Sequence, residues 1–145
     1  LATATILQVL VPMRLASFHE LKVWQFSVAL AADIYGLTRQ LPPEEQFGLS
    51  LQLRRAAISI PSNIAEGSGY GPSRRNVHHV RIALGSNLEL QTQLILIERL
   101  LLAKPDCVKP LLDRAIEVGK MLNGLIKSLE NPNPEPRTRT RTPNN

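Results

Sequence analysis

Prolines punctuate this chain so regularly that few architectures remain open to it. Those at positions 42, 43, 72 and 105 separate four stretches of about 25–30 residues, and within each stretch apolar residues recur every three or four positions. That is the period of a helix face; a half-buried strand would alternate. Short links between helices of such length turn each one back along its predecessor. The expected fold class is therefore all-α, an antiparallel up-down-up-down four-helix bundle.

Each stretch carries its own stripe and stops. Helix one is expected over about residues 17–40, with Leu21, Trp24, Val28, Ala31 and Tyr35 inward, and ends where Leu41-Pro42-Pro43 pushes the backbone out of α geometry. Helix two aligns Leu49, Leu53, Ala56, Ile60 and Ile64 and closes on Gly67, Gly69 and Gly71. Pro61 falls inside this stripe and predicts a helix kink near residues 57–61. Ser73 is placed to cap helix three, whose inner face reads Val77, Val80, Leu84, Leu88, Gln91 and Ile95. Ile82, Leu90, Leu94, Leu96, Ile97, Leu100 and Leu101 extend apolar surface around much of the rest of it. A helix apolar nearly all round is buried on more than one side, so self-association is expected. In the fourth segment Val108, Leu111, Leu112, Ala115, Val118, Leu122, Leu125, Ile126 and Leu129 run opposite Asp113, Arg114, Glu117 and Lys120, with Pro110 blurring the start.

Composition narrows the functional classes. Hydrophobic residues are 43% of the 145, enough for a core, yet no apolar run approaches the ~20 residues of a membrane span, so no membrane partner is expected. Cys107 is the single cysteine, which excludes an intrachain disulfide framework and fits a cytoplasmic setting. Aromatic content of 4% leaves little from which to build a base-stacking sheet. The uncharged residues 1–13 read as an extra or disordered N-terminal segment, with Met13 a candidate start. The bundle is assigned to residues 14–130, and residues 131–145 to a disordered Pro/Arg/Thr tail. That tail carries Arg137, Arg139 and Arg141 against Glu135 and so holds two of the five net positive charges.

The remaining charge is uneven. Arg54, Arg55, Arg74, Arg75 and Arg81 share their stretch of chain with only Glu66, which makes helices two and three the candidate nucleic-acid-binding surface for RNA or DNA. Asn63 and Glu66 beside Pro61, and Ser86 and Glu89 on the next helix, are each three apart; an interhelical polar network suits them better than acid–base catalysis. His78 and His79 point about 100° apart on a helix, and neither a His-Glu-x-x-His nor a Cys-x-x-Cys pattern occurs, so no metal is expected. Gly67-Ser-Gly69-Tyr-Gly71 lacks the Gly-Lys-Ser/Thr ending of a P-loop. The expectation is a non-enzymatic protein without cofactors.

Particular runs carry more information than the pattern. They are Phe18-His-Glu-Leu21-Lys-Val-Trp24, Ile34-Tyr35-Gly-Leu37-Thr38, Glu45-Gln-Phe47-Gly48-Leu49, Gln52-Leu53-Arg54-Arg55-Ala56-Ala57, Ser59-Ile60-Pro61-Ser62-Asn63-Ile64-Ala65-Glu66-Gly67, and residues 82–94 from Ile82 to Leu94. Together they resemble the four-helix-bundle proteins encoded in intervening sequences of bacterial 23S ribosomal RNA genes. The resemblance implies an up-down bundle associating as a ring-shaped homopentamer. It also implies a relation to the accessory proteins of diversity-generating retroelements, basic barrels that bind nucleic acid and a reverse transcriptase. Partners expected on that basis are further copies of the chain, RNA or DNA, and a reverse transcriptase. The alternative is a protein-interaction scaffold or a reverse-transcriptase accessory subunit with no nucleic-acid role of its own. Tyr70 stands where the family often has a basic residue, and Arg74-Arg75-Asn76-Val77-His78-His79 stands where an acidic and an aromatic residue are common.

Overall fold

A computed structural model describes residues 18–132 of the chain. The expected N-terminal segment 1–13 and all but the first two residues of the expected tail lie outside them. Among the described residues there are four long helices and no strand: α1 (Lys22–Thr38), α2 (Leu49–Ser68), α3 (Arg74–Arg99) and α4 (Pro105–Glu130), with a short 3-10 turn at Pro43–Glu45. None is long and apolar enough to cross a membrane.

Local chemistry accounts for the boundaries. α1 starts at Lys22, later than the expected residue 17, because Leu21 is extended (φ −69°, ψ 119°). Phe18 and His19 stack ahead of it with ring centroids 4.1 Å apart, and Trp24 meets both edge-on. α2 runs as a single helix through Pro61, which is buried. Ser73 caps α3 by accepting from the Asn76 backbone N–H at 3.2 Å. α4 opens on Pro105, a favoured first position because its missing N–H has no helical partner there in any case. Pro110 is tolerated for a related reason: the carbonyl it would have bonded belongs to Asp106, exposed in the first turn.

The residue pairings between neighbours descend as they ascend. Ser59 of α2 meets Ser86 of α3, Asn63 meets His79, and Gly67 lies against Asn76. On the next seam Arg81 meets Glu130 and Asn87 meets Ala115. The core contains Leu30, Ile34, Leu53, Ile60, Ile64, Val80, Leu90, Leu94, Ile97, Val108 and Leu122, all at most 1% exposed.

Two helices are rotated from their expected faces. α1 buries Val23, Ser27, Leu30, Ile34 and Leu37 and leaves Val28 outside. α3 buries Val80, Ala83, Asn87, Leu90, Leu94 and Ile97, while Leu88 and Ile95, expected inside, are exposed. Where apolar residues surround a helix, periodicity cannot choose the face. Small or polar residues at the contact choose it, here Ser27 on α1 and Ala83 and Asn87 on α3, because they permit close approach or find a partner across the seam.

At the end of the bundle where α1 passes to α2 and α3 to α4, large apolar side chains face solvent. Phe47 and Leu101 are each 81% exposed, with Leu100 beside them in sequence also exposed. Leu101 adopts φ 55°, and the Leu101 and Leu102 amides bond back to the Glu98 and Ile97 carbonyls. This is the Schellman closure of a helix, with leucine at the left-handed position glycine usually fills.

Candidate functional site

The other end is organised by polar contacts. A Cβ added to Gly67 would lie 2.7 Å from Asn76 Oδ1 and 2.9 Å from the His79 Cβ, so α2 and α3 approach here as closely as a glycine allows. The buried Asn76 amide donates to the Gly71 carbonyl at 2.8 Å and fastens the turn in which Gly71 takes a positive φ of 61°. Gly67, Asn76 and the Ser73 cap thereby set Arg74 and Arg75 on the first turn of α3. The Arg75 guanidinium sits 4.6 Å from the centre of the Tyr70 ring, and Tyr70 stacks on His79 at 5.6 Å with the planes 10° apart.

His79 joins this cluster to a polar seam. The Asn63 amide nitrogen donates to the Ser59 carbonyl (2.9 Å) and hydroxyl (3.1 Å), so its oxygen faces His79 Nδ1, 3.2 Å away, and the imidazole is assigned as donor. Glu66 lies 3.9 Å from the same nitrogen. Ser86 donates to the Ser59 hydroxyl at 2.8 Å. Asn63, Glu66 and Ser86 are thus brought together by Ser59 and His79, two residues the sequence reading did not select for this role. Asn63 bonds to the Ser59 carbonyl, whereas the carbonyl freed by Pro61 is that of Ala57. Glu89 does not join the seam: it accepts from Gln93 on its own helix at 3.3 Å.

The five candidate arginines do not form one surface. Arg54 donates to the Thr38 hydroxyl at 2.9 Å and lies 5.1 Å from the Tyr35 ring centre, facing α1. Arg55 is exposed at the same level, roughly 18 Å along the axis from Gly67 at 1.5 Å per residue. Arg81 is ion-paired to Glu130 at 2.6 Å. Arg74 and Arg75 remain as an adjacent exposed pair, and among the described residues no carboxylate lies within 4.0 Å of either guanidinium.

A second polar contact, between α3 and α4, also went unselected. Fully buried Asn87 donates to the Ala115 carbonyl at 2.9 Å and accepts from Gln91 at 2.7 Å. A Cβ at Gly119 would come within 2.8 Å of the Asn87 oxygen. A glycine amid the leucines and valines of α4 was the available signal, since it leaves room for a facing side chain. Among the described residues no group of three or more His, Cys, Asp or Glu could hold a metal ion, and Cys107 is a half-buried free thiol.

Comparison with known proteins can be set against this geometry. Residues 19–124 match the 23S rRNA-intervening sequence protein family, most of the chain and nearly all of the four helices. The chain belongs to that family. A crystal structure of a protein of unknown function from the S23 ribosomal protein family of Bacteroides thetaiotaomicron is similar to it. The two share 28% identity over 72% of this chain and 95% of that one, with a TM-score of 0.66. No curated protein matches the chain. As a 23S rRNA-intervening sequence protein the chain keeps the family's helices while carrying Tyr70, Arg74 and Arg75 at the α2–α3 turn.

Proposed function

We propose that this chain is a non-catalytic bundle protein that assembles with further copies of itself and binds the phosphate backbone of nucleic acid. The descending pairings on the α2–α3 and α3–α4 seams support an antiparallel, up-down-up-down course. The observation that carries the binding reading is the Arg74–Arg75 pair: two exposed guanidiniums with no carboxylate partner among the described residues, on a turn made rigid by Gly67 and Asn76. Guanidiniums grip phosphate through paired N–H donors, and such contacts position a protein without reading sequence. Gel retardation of RNA and DNA tests this. Mobility shifts that weaken steeply with salt are expected, and none at low salt would defeat the reading.

Self-assembly draws on a different observation. Ile82, Leu88, Ile95 and Leu96 are exposed on α3, the helix already packed against both α2 and α4. A ring of copies, a pentamer by the family resemblance, would cover such surface. Native mass spectrometry should then show an oligomer at micromolar concentration, and a purely monomeric species would refute assembly. If assembly is found without nucleic-acid binding, the scaffold reading takes over.

A further inference from the structure

We propose that the tail arginines Arg137, Arg139 and Arg141 act with Arg74 and Arg75 as one composite site for a nucleic-acid phosphate backbone, an inference that rests on the phosphate-binding reading above. α4 ends beside the start of α3. Pro72, Ser73, Arg74, Leu129, Glu130 and Pro132 line one groove of about 440 Å³, so the chain leaves the bundle next to Arg74. The Arg81–Glu130 ion pair ties the last residue of α4 to the second turn of α3 and holds that exit in place. It also gives the acid at the groove a cationic partner within the protein, reducing its repulsion of an approaching phosphate. Arg81 is therefore a positioning residue here, where its sequence suggested direct contact.

Reach and composition support the assignment. Five residues separate Pro132 from Arg137, a span of at most roughly 18 Å, so the first tail guanidinium is confined to this end of the bundle. From Asn131 to Asn145 there is one acid, Glu135, and no apolar side chain larger than proline to seat in a groove. What the segment offers a partner is positive charge. Tethering it beside the folded pair makes its engagement intramolecular once either part holds the strand, which raises overall affinity without any new kind of contact.

The test is fluorescence anisotropy with a mixed-sequence RNA and a DNA duplex of about 30 nucleotides, titrated with the full chain between about 50 and 200 mM salt. Two variants accompany it, R137A/R139A/R141A and R74A/R75A, each checked by circular dichroism for unchanged helicity. Each variant is expected to bind about tenfold or more weakly at the lower salt, and the tail variant to lose about 2 from the log–log salt slope on RNA, three contacts at ~0.7 apiece. Should the tail variant keep the parent's affinity and slope while R74A/R75A loses both, the composite site is overturned and the phosphate reading stands. If only the tail variant weakens, the folded pair is not part of the site and the proposal fails on that side. Absence of binding by the full chain at the lower salt would overturn the reading beneath it.

Discussion

The two ends of this bundle are built from opposite materials. At the α2–α3 turn, polar side chains satisfy a tight backbone, Asn76 on Gly71 and Ser73 on the α3 N-terminus, and the residues left facing water are arginines. At the opposite end the α3–α4 turn closes through backbone bonds alone, leucine occupies a left-handed position, and Leu100, Leu101 and Phe47 face water. Both turns join helices of similar length, yet one presents charge on a rigid mount and the other presents apolar surface on a strained one. A polyanion has reason to approach only the first. Association through apolar contact is available at the second.

This contrast can be broken by substitution. The largest effect is expected at Gly67→Val, where the new side chain meets Asn76 and His79 at under 3 Å; stability should fall by about 3 kcal/mol in urea unfolding, as for overpacked cores. Next, Asn87→Ala removes a fully buried amide that bridges α3 to α4 and should cost about 2 kcal/mol by the same measurement, marking that seam as mid-bundle structure that belongs to neither end. At the apolar end the sign reverses. Leu101→Gly should raise stability by about 1 kcal/mol, because glycine tolerates φ 55° and the leucine side chain there has little burial to lose. The smallest change is expected for Arg81→Ala. Its ion pair with Glu130 is about half exposed on both sides, so thermal unfolding should register less than about 0.5 kcal/mol. A loss near 3 kcal/mol there would mean that the pair holds the fold as well as the tail exit.

Much of the fold was legible because proline and helix period act locally. The boundaries of α3 and α4 follow from Ser73 and Pro105, whose effects depend on immediate neighbours. The faces of α1 and α3 were not legible, since Leu88 and Leu90 are equally apolar and only the neighbouring helices decide which is covered. The candidate site divided the same way. Asn63, Glu66 and Ser86 stood out by spacing, but Ser59 and His79, which link them, have meaning only once α2 and α3 are side by side. Charge counting along the chain grouped five arginines that the length of α2 then separates, and an acid at residue 130 takes up Arg81 from 49 positions away.

The closeness of α2 to α3 at Gly67 also governs how the bundle can come apart. Sliding one helix along the other by a single residue would shift it about 1.5 Å and disrupt the Asn63–His79 and Ser59–Ser86 bonds together. That pair is effectively keyed in register. α1 meets α4 through the exposed Asp33–Arg114 ion pair and across an apolar groove of about 190 Å³ beside Phe26, Val118 and Met121. Local opening therefore has its easiest route through α1, with the α2–α3 hairpin as the last unit to yield and Arg74 and Arg75 still mounted on it.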